Sequence, residues 1–254
     1  MMDPVTVLYG LAILGFVAGV AIAYRLITEN PDLAERGAFK YLMIIPAFAG
    51  LSYVVMFFDL GTLTVGGRTI VLPRYVDWLV TTPVLVGYVG FVAGAPRKWI
   101  IGLGLADAFM IATGAVATVT TGPVKWAFFA VSGLGHLSLL TILYTVLPRF
   151  LPAYHKRRSL FKLLQNHVGL LWLAYPVVWL VSPAGIGLMS GVGLALIVAY
   201  LDVVAKTPYV YFVYRNQRAF ADPEAAVGGT APTTGSSGED TVGADEETPA
   251  TPAD

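Results

Sequence analysis

The chain has 254 residues, of which 56% are apolar and only 13% are charged. Soluble domains carry about 25% charged residues, so this composition predicts a membrane protein and argues against a soluble domain. Acidic and basic residues are equal in number, 16 of each, and we expect no nucleic-acid partner. The chain contains no cysteine, which excludes disulfide bonds and thiol chemistry.

Seven apolar runs follow one another along the chain, and each is long enough to cross roughly 30 Å of hydrocarbon as a helix. They lie at about 4–26, 40–60, 73–94, 98–118, 124–148, 160–181 and 186–213. We expect no short cleavable signal, because the segment before the first run lacks a basic residue and that run is full length. The predicted fold class is an all-α membrane protein, a seven-transmembrane-helix bundle whose short loops favour antiparallel neighbours.

The basic residues are distributed unevenly between the two sides that alternating runs define. Only Arg68 and Lys125 fall on one side, while Arg74 and Lys206 lie within runs. The other side carries Arg25, Arg36, Lys40, Arg97, Lys98, Arg149, Lys156, Arg157, Arg158, Lys162, Arg215 and Arg218. Basic residues accumulate in cytoplasmic loops, so this pattern predicts an outside amino terminus and an inside carboxyl terminus.

The connections carry two further signals. Residues 61–72, between the second and third runs, predict a small extracellular hairpin that turns at Gly66-Gly67. The His-Lys-Arg-Arg cluster at 155–158 indicates either an interaction surface or a topology signal that matches anionic lipid.

The carboxyl-terminal segment differs in composition from the rest of the chain. From Asp222 onward it contains eight acidic residues and no basic residue among Gly, Ser, Thr, Pro and Ala. Such a segment cannot bury enough apolar area to offset the entropy of ordering. We therefore predict a membrane domain over residues 1–220 and a disordered acidic cytoplasmic tail over 221–254.

Charged residues within the third and seventh runs are the clearest functional signal. Lys206 lies near the middle of the seventh run, one helical turn beyond Asp202. A charge at mid-membrane costs roughly several kcal/mol, so such a residue is normally functional. The spacing fits a structural ion pair, and it also fits a Schiff base with its counter-ion. Arg74 and Asp77 in the third run are placed at a similar depth, which makes the four-residue cluster neutral, as a low-dielectric interior requires.

Aromatic residues are predicted at the same depth as these charges. Trp78 follows Asp77, and Trp172, Tyr175 and Trp179 recur at helical spacing on the sixth run. The stripe is explained either by bundle packing or as the wall of a slot for a flat apolar ligand. Prolines in these runs, Pro83 and Pro176, are typical of kinks beside functional cavities.

Three separated segments resemble the signatures of haloarchaeal retinal proteins, the microbial (type 1) rhodopsins. Segment 74–83, RYVDWLVTTP, resembles their third helix, segment 172–179, WLAYPVVW, their sixth, and segment 201–206, LDVVAK, their seventh. The resemblance runs in order from about residue 4 to 220. It implies that Lys206 binds retinal, all-trans in the dark, as a protonated Schiff base in the cell membrane of a halophilic archaeon.

The resemblance also assigns roles around Lys206. It implies a counter-ion complex of Asp77 and Asp202 with Arg74 beneath it, and no metal site. A buried protonated imine needs compensating negative charge to keep its proton, which these carboxylates supply. The implied retinal pocket contains Tyr53, Trp78, Thr81, Thr82, Asp107, Met110, Trp172, Tyr175 and Trp179.

Within this family, the sequence favours a receptor over a pump. Asp77 argues against a chloride pump, because chloride pumps replace that carboxylate with a neutral residue. Tyr88 stands where fast proton pumps carry a proton-donating carboxylate, and Ala184 and Leu194 stand where they carry release glutamates. Two other functions remain open: a slow outward light-driven proton transporter, and a dark secondary transporter that uses Lys206 and Asp202 as an ion relay.

Further segments resemble the sensory rhodopsin I branch, namely 44–53, 164–172 and 205–212. This branch implies phototaxis without enzymatic activity, and a two-transmembrane-helix transducer packed against the sixth and seventh helices. His167 matches a signal-relay position and Tyr200 a transducer contact, although His167 also fits a partly hydrated helix end. His136 matches a position near the retinal ring that can contact chloride, and a hydrogen-bonded bundle histidine is equally consistent. The sequence leaves open whether the protein forms a homo-oligomer.

Overall fold

The structure is a computed structural model that describes residues 3–35 and 37–221. The predicted acidic tail lies, from Asp222 onward, outside the described residues, as does Arg36.

The predicted seven spans are confirmed: seven helical segments within the described residues are long and apolar enough to cross a membrane. Their helices are α1 (Pro4–Glu29), α3 (Ile44–Phe57), α4 (Leu72–Ala93), α5 (Arg97–Val119), α6 (Gly122–Thr141), α7 (His155–Trp172) with α8 (Ala174–Val181), and α9 (Gly191–Arg215). A short helix, α2 (Pro31–Glu35), lies between the first two spans. Sequential spans pack against each other from α1 to α6, and α9 closes the bundle by packing against both α1 and α7.

The predicted hairpin is also present. Strands β1 (Thr62–Val65) and β2 (Arg68–Val71) pair antiparallel between the second and third spans. Gly66 and Gly67 both have positive φ, 58° and 75°, which a two-residue turn of this hand requires and which glycine adopts without steric cost. The hairpin marks one end of the bundle, here called the hairpin end. The other end carries residues 155–158 and is called the basic end.

Two predicted boundaries are wrong by five residues. The sixth run was predicted to begin at about 160, but α7 begins at His155, because its first turn is polar. The seventh apolar run was predicted to begin at residue 186, but α9 begins at Gly191. Residues 182–187 form a turn in which Ile186 N–H donates to the Leu180 carbonyl at 2.8 Å and Gly187 has a φ of 77°. Ser190 then caps the helix by accepting from Gly193 N–H at 3.0 Å. Hydropathy extended the helix too far because this turn is apolar.

The fifth and sixth spans are not continuous α-helices. After Thr141 the fifth span widens into a π-helical turn, Ile142–Val146, and ends in a 3₁₀ turn, Leu147–Phe150. The sixth span is interrupted at Leu173, between α7 and α8. Pro176 cannot donate to the carbonyl of Trp172, so the helical ladder is broken there. By contrast, α4 continues through Pro83.

Burial within the bundle is the reverse of what a water-soluble helical protein shows. Large apolar residues such as Leu14, Leu105, Leu134 and Leu170 are more than 60% exposed on the outside of the bundle. The ionisable residues Asp77, Asp107, Asp202 and Lys206 are at most 1% exposed inside it. An apolar exterior around a charged centre is stable only in a lipid bilayer, and the charges locate the functional site.

Candidate functional site

The Lys206 ammonium is buried between two carboxylates at the centre of the bundle. It forms a short ion pair with Asp77 Oδ2 on α4, and its Nζ lies 3.7 Å from Asp202 Oδ1, one turn away on its own helix. The ring of Phe16 lies 5.7 Å from the same nitrogen. Two of the charges that the sequence placed at this depth, Asp77 and Asp202, therefore meet at Lys206.

Asp202 is held by three neutral donors from three spans. Tyr53 Oη donates to Oδ2 at 2.8 Å, while Trp78 Nε1 and Tyr175 Oη each donate to Oδ1 at 2.9 Å. Hydrogen bonds to both oxygens stabilise a carboxylate in its charged form. Both oxygens of Asp202 are thus held in place beside Lys206 by donors from three spans.

Asp77 has fewer partners than Asp202. Apart from the ammonium, it accepts a hydrogen bond only from Thr81 Oγ1, which lies 3.1 Å from Oδ1 and also donates to the Asp77 backbone carbonyl at 2.9 Å. Tyr53 and Thr81 were predicted as pocket residues. The structure places them on the two carboxylates, outside the lining of the described cavities.

Arg74 lies one turn from Asp77 towards the hairpin end, and it forms no ion pair with either carboxylate. Its Nη2 donates to Tyr9 Oη at 3.3 Å, and its Nε has no partner although the side chain is buried. Arg74 lines a cavity of about 600 Å³ together with Tyr9. The structure thus places Arg74 between the two carboxylates and the hairpin end, bonded to Tyr9.

A narrow cavity of about 70 Å³ adjoins Lys206. Aromatic and apolar side chains form most of its wall, with few polar groups, as in sites for flat apolar ligands. Its lining is Trp78, Thr82, Leu85, Asp107, Met110, Ile111, His136, Trp172, Tyr175, Asp202, Ala205 and Lys206. Five of these residues also line the larger cavity: Trp78, Met110, Ile111, His136 and Tyr175.

Trp179 belongs to the larger cavity and not to the narrow one. Its ring stacks on Phe129 at a centroid distance of 4.4 Å, and its Nε1 donates to Thr118 Oγ1 at 2.9 Å. Thr118 in turn bonds Tyr75 Oη at 2.6 Å. Trp179 is thereby fixed to the fourth and fifth spans.

Two polar atoms on the narrow cavity, Asp107 Oδ1 and His136 Nε2, have no hydrogen-bond partner among the residues that the structure describes. The other oxygen of Asp107 is bonded to Thr82 Oγ1, which also donates to the Trp78 carbonyl at 2.7 Å. Buried polar atoms without partners are rare and require an explanation, such as a ligand or water that the site holds.

His167, Tyr200 and Tyr88 lie away from the cavities. His167 Nε2 lies 3.2 Å from the carbonyl oxygen of Ala205, the residue before Lys206. Tyr200 is 65% exposed on the outer face of α9. Tyr88 Oη donates to the Ala38 carbonyl at 2.9 Å at the basic end. Ala184 and Leu194, the positions without release glutamates, line the larger cavity at the hairpin end.

Several residues that complete the site had not been predicted, among them Tyr9, Phe16, Tyr75, Thr118 and Phe129. None of them carries a charge within a span, so neither hydropathy nor charge marks them in the sequence. The weak signal available was helical spacing, because Thr118 lies eleven positions after Asp107 on α5 and shares its face.

Comparison with known proteins assigns the chain to a family. A family profile described as bacteriorhodopsin-like protein matches residues 3–219. The chain belongs to this family. It is 52% identical to Sensory rhodopsin-1 of Halobacterium salinarum over 224 residues, which cover 88% of this chain and 94% of that one. It is also 49% identical to a sensory rhodopsin of Halorubrum sodomense over 252 residues, 98% of each chain.

A solved structure supports the same assignment. Cyanorhodopsin from a Tolypothrix cyanobacterium matches with a TM-score of 0.79 and 28% identity, covering 88% of this chain and 96% of that one. The predicted family, its sensory rhodopsin I branch and the seven-helix fold are confirmed, and the chain is a multi-pass membrane protein. The relatives are photoreceptors and not enzymes, and membership of this family implies a retinal chromophore.

The residues present fit retinal. A buried primary amine opens on a narrow cavity with aromatic walls, and two carboxylates balance a charge on its nitrogen.

Proposed function

We propose that this protein is a retinal photoreceptor for phototaxis in the cell membrane of a halophilic archaeon. The observation that carries the proposal is the Lys206 ammonium, buried against Asp77 and Asp202 at the edge of an aromatic cavity. The sensory role is supported by relatives named sensory rhodopsins, about half identical over most of the chain.

Lys206 would hold all-trans retinal through its amine, and the bound chromophore would supply a light-isomerisable polyene with a positive charge that faces Asp77 and Asp202. Asp77 is the proton acceptor, because it contacts the nitrogen directly and only Thr81 binds it otherwise. Asp202 is the less accessible acceptor, since three donors already occupy its oxygens. Trp78, Met110, Trp172 and Tyr175 confine the chromophore and exclude water.

The signal leaves the site through the sixth and seventh spans. Trp172 borders the cavity on α7, and His167, on the same helix, reaches the backbone of α9 at Ala205. Pro208 removes one hydrogen bond from α9 close to this contact, which makes the helix easier to deform there. Movement of either helix displaces the other, and a two-span transducer would bind the outer face that exposes Tyr200.

The unpartnered His136 Nε2 supports chloride as a second ligand, because a buried imidazole N–H is suited to bind an anion. Titration of the visible band with chloride, in a buffer of sulfate salts, tests this assignment. A His136→Ala variant should lose the spectral response; an unchanged response would contradict it.

The second candidate is a slow outward proton transporter, because Asp77 accepts a proton on the hairpin side of Lys206 in both cases. The structure favours the receptor: Tyr88, at the donor position, is a phenol already bonded to Ala38. Illuminated vesicles distinguish the two functions. A pump steadily acidifies the compartment into which it releases protons and completes its photocycle in milliseconds. A receptor recovers its dark absorption in about a second and co-purifies with a membrane transducer.

The covalent attachment is tested by adding all-trans retinal to membranes that contain the chain. The parent should develop a visible band, and Lys206→Ala should not, while both keep the same helical circular dichroism. Lys206→Arg is the matched control, since it keeps the buried cation but cannot form a Schiff base. A visible band in either variant would refute the attachment, and no band in the parent would leave only the dark transporter.

A further inference from the structure

Arg157, the third residue of α7, ties the basic end of the sixth span to the end of the third. Its Nε donates to the Val92 carbonyl at 2.9 Å and its Nη2 to the Phe91 carbonyl at 2.8 Å. The helix α4 ends at Ala93, and the residue four positions after Val92 is Pro96, which has no N–H. The guanidinium therefore supplies a donor that the chain itself cannot, and its charge lies at the negative end of the helix dipole.

The same guanidinium also contacts the segment that follows the seventh span. Its central carbon lies 5.5 Å from the ring centroids of both Phe91 and Phe220. The Phe220 ring, at the end of the 3₁₀ turn Gln217–Phe220, stacks on Phe91 at 6.0 Å and 12°. Tyr154 Oη, just before α7, donates to the Arg218 carbonyl at 3.1 Å. Arg157, Phe91, Val92 and Phe220 form a contact among three spans, here called the inner joint.

A tightly packed, mostly apolar part of the bundle lies between the inner joint and Lys206. This core includes Leu85, Val89, Leu164 and Tyr209, all at most 1% exposed. The narrow cavity beside Lys206 extends towards the basic end only as far as Leu85. Buried side chains of this core therefore separate the basic end from the cavity beside Lys206.

We propose that Arg157 is a positioning residue: it holds the basic end of the sixth span against the third span in the dark, and its release controls how fast a proton returns to the Lys206 site. This inference rests on the proposed photoreceptor function. Any outward movement of the start of α7 must break both carbonyl bonds, because both accept on α4. Once these bonds break, Phe220 loses the cation that it shares with Phe91, and the core opens to water.

Arg157→Ala is the decisive variant, with Arg158→Ala as the matched control. Arg158→Ala removes the same charge one residue later. The Arg158 side chain is exposed, and its Nε donates to the Pro152 carbonyl in the adjoining connection at 3.0 Å, so it does not contact α4. Arg157→Lys keeps the charge and loses the two-pronged contact. Phe220→Ala opens the joint from the opposite side and serves if Arg157→Ala does not fold.

Two readouts follow the joint in the full-length protein in membranes. The chain has no cysteine, so spin labels at Lys98→Cys and Lys162→Cys report the distance between the ends of the fourth and sixth spans without background. The second readout is recovery of the visible band after a flash, with all-trans retinal bound. Arg157→Ala should lengthen the dark distance and speed recovery about tenfold, as expected for losing charge-assisted hydrogen bonds. In both readouts Arg157→Lys should lie between the parent and Arg157→Ala, and Arg158→Ala should match the parent.

The proposal is overturned if Arg157→Ala and Phe220→Ala both keep the parent's distance and recovery rate. It is equally overturned if Arg158→Ala changes them as much, since charge alone would then explain the result. The dark distance needs no chromophore. It therefore tests the joint even if the parent forms no visible band, an outcome that would contradict the photoreceptor function instead.

Discussion

The two carboxylates beside Lys206 have different environments, and this difference supports the roles proposed for them. Asp77 has one hydroxyl donor and the ammonium, whereas Asp202 has three donors besides the ammonium. A carboxylate that has few donors accepts a proton at lower cost than one whose charge is stabilised by three. Without the family resemblance the sequence gives no such difference, because the two aspartates differ there only in position.

Asp77→Asn should suppress the light-driven proton shift about 100-fold or more, because a positioned proton acceptor contributes roughly that factor. The visible band should move to longer wavelength, since the cation loses ground-state stabilisation. Flash spectroscopy and the dark absorption spectrum measure both effects. Asp107→Asn is the control, because Asp107 bonds Thr82 and does not contact the Lys206 nitrogen. Full proton transfer in Asp77→Asn would show that Asp202 is the acceptor.

Tyr175→Phe should destabilise the pigment by about 1.5–3 kcal/mol, the range for a hydrogen bond to a charged group. The change removes one of the two donors to Asp202 Oδ1 and keeps the ring that packs at 5.4 Å from Trp78. The midpoint of thermal bleaching measures the loss. Tyr200→Phe, which removes a hydroxyl from an exposed side chain, should leave the midpoint unchanged. Equal midpoints for both variants would mean that the Tyr175 hydroxyl bond contributes nothing to stability.

The elements bring these residues together because the spans approach closely at particular small residues. Gly169 on α7 faces Tyr144 in the π-helical turn of the fifth span, and a Cβ at this position would overlap the Tyr144 hydroxyl. Gln165 Nε2 donates to the Leu143 carbonyl at 2.7 Å in the same turn. The irregular turn and the glycine therefore set the distance between the fifth and sixth spans, on which the width of the cavity depends.

Gly169→Ala should cost about 1–3 kcal/mol of stability, the usual range for overpacking a core. Tyr144→Ala in the same chain should recover most of this loss, because it removes the overlapping ring. Chemical unfolding in detergent of the parent, the two single variants and the double variant gives the coupling free energy between the two side chains. Gly133→Ala is the control, since a Cβ added at Gly133 would have no neighbouring atom within 4 Å. Additive costs in the double variant would indicate that the two side chains do not meet.

The elements also show where sequence patterns fail. The hairpin at 62–71 was predictable because two adjacent glycines specify its turn, and a local turn needs no tertiary contact. The start of α9 was not predictable, because the turn at 182–187 is as apolar as a membrane-spanning helix. That turn is held from other elements: Arg68 Nη1 donates to the Ala184 carbonyl at 3.0 Å and Lys125 Nζ to the Gly185 carbonyl at 2.9 Å.

For the whole molecule, the distribution of basic residues predicts which end of the bundle faces the cytoplasm. The hairpin end carries Arg68 and Lys125, and both are engaged by backbone carbonyls. The basic end carries most of the remaining lysines and arginines, several of them exposed. Translocating those charges would be unfavourable, so the basic end should stay in the cytoplasm.

Single cysteines in this cysteine-free chain test the orientation. A membrane-impermeant maleimide should label Thr64→Cys in the hairpin of intact cells and should label Lys162→Cys only after permeabilisation, since both positions are exposed in the bundle. Labelling of Lys162→Cys in intact cells would reverse the predicted topology. Retention of the visible band in both variants shows that the substitutions leave the fold intact.

The sequence alone was sufficient for seven spans, the hairpin, the buried charges and the family, because each depends on local composition or on a short motif. It could not show that Asp77 contacts Lys206 more closely than Asp202 does, that Arg74 turns to Tyr9, or that Arg157 joins the third and sixth spans. These are contacts between residues about 60 to 130 positions apart in the chain. Their distances follow from how the helices pack, and helical periodicity gives the face of a residue but not its partner.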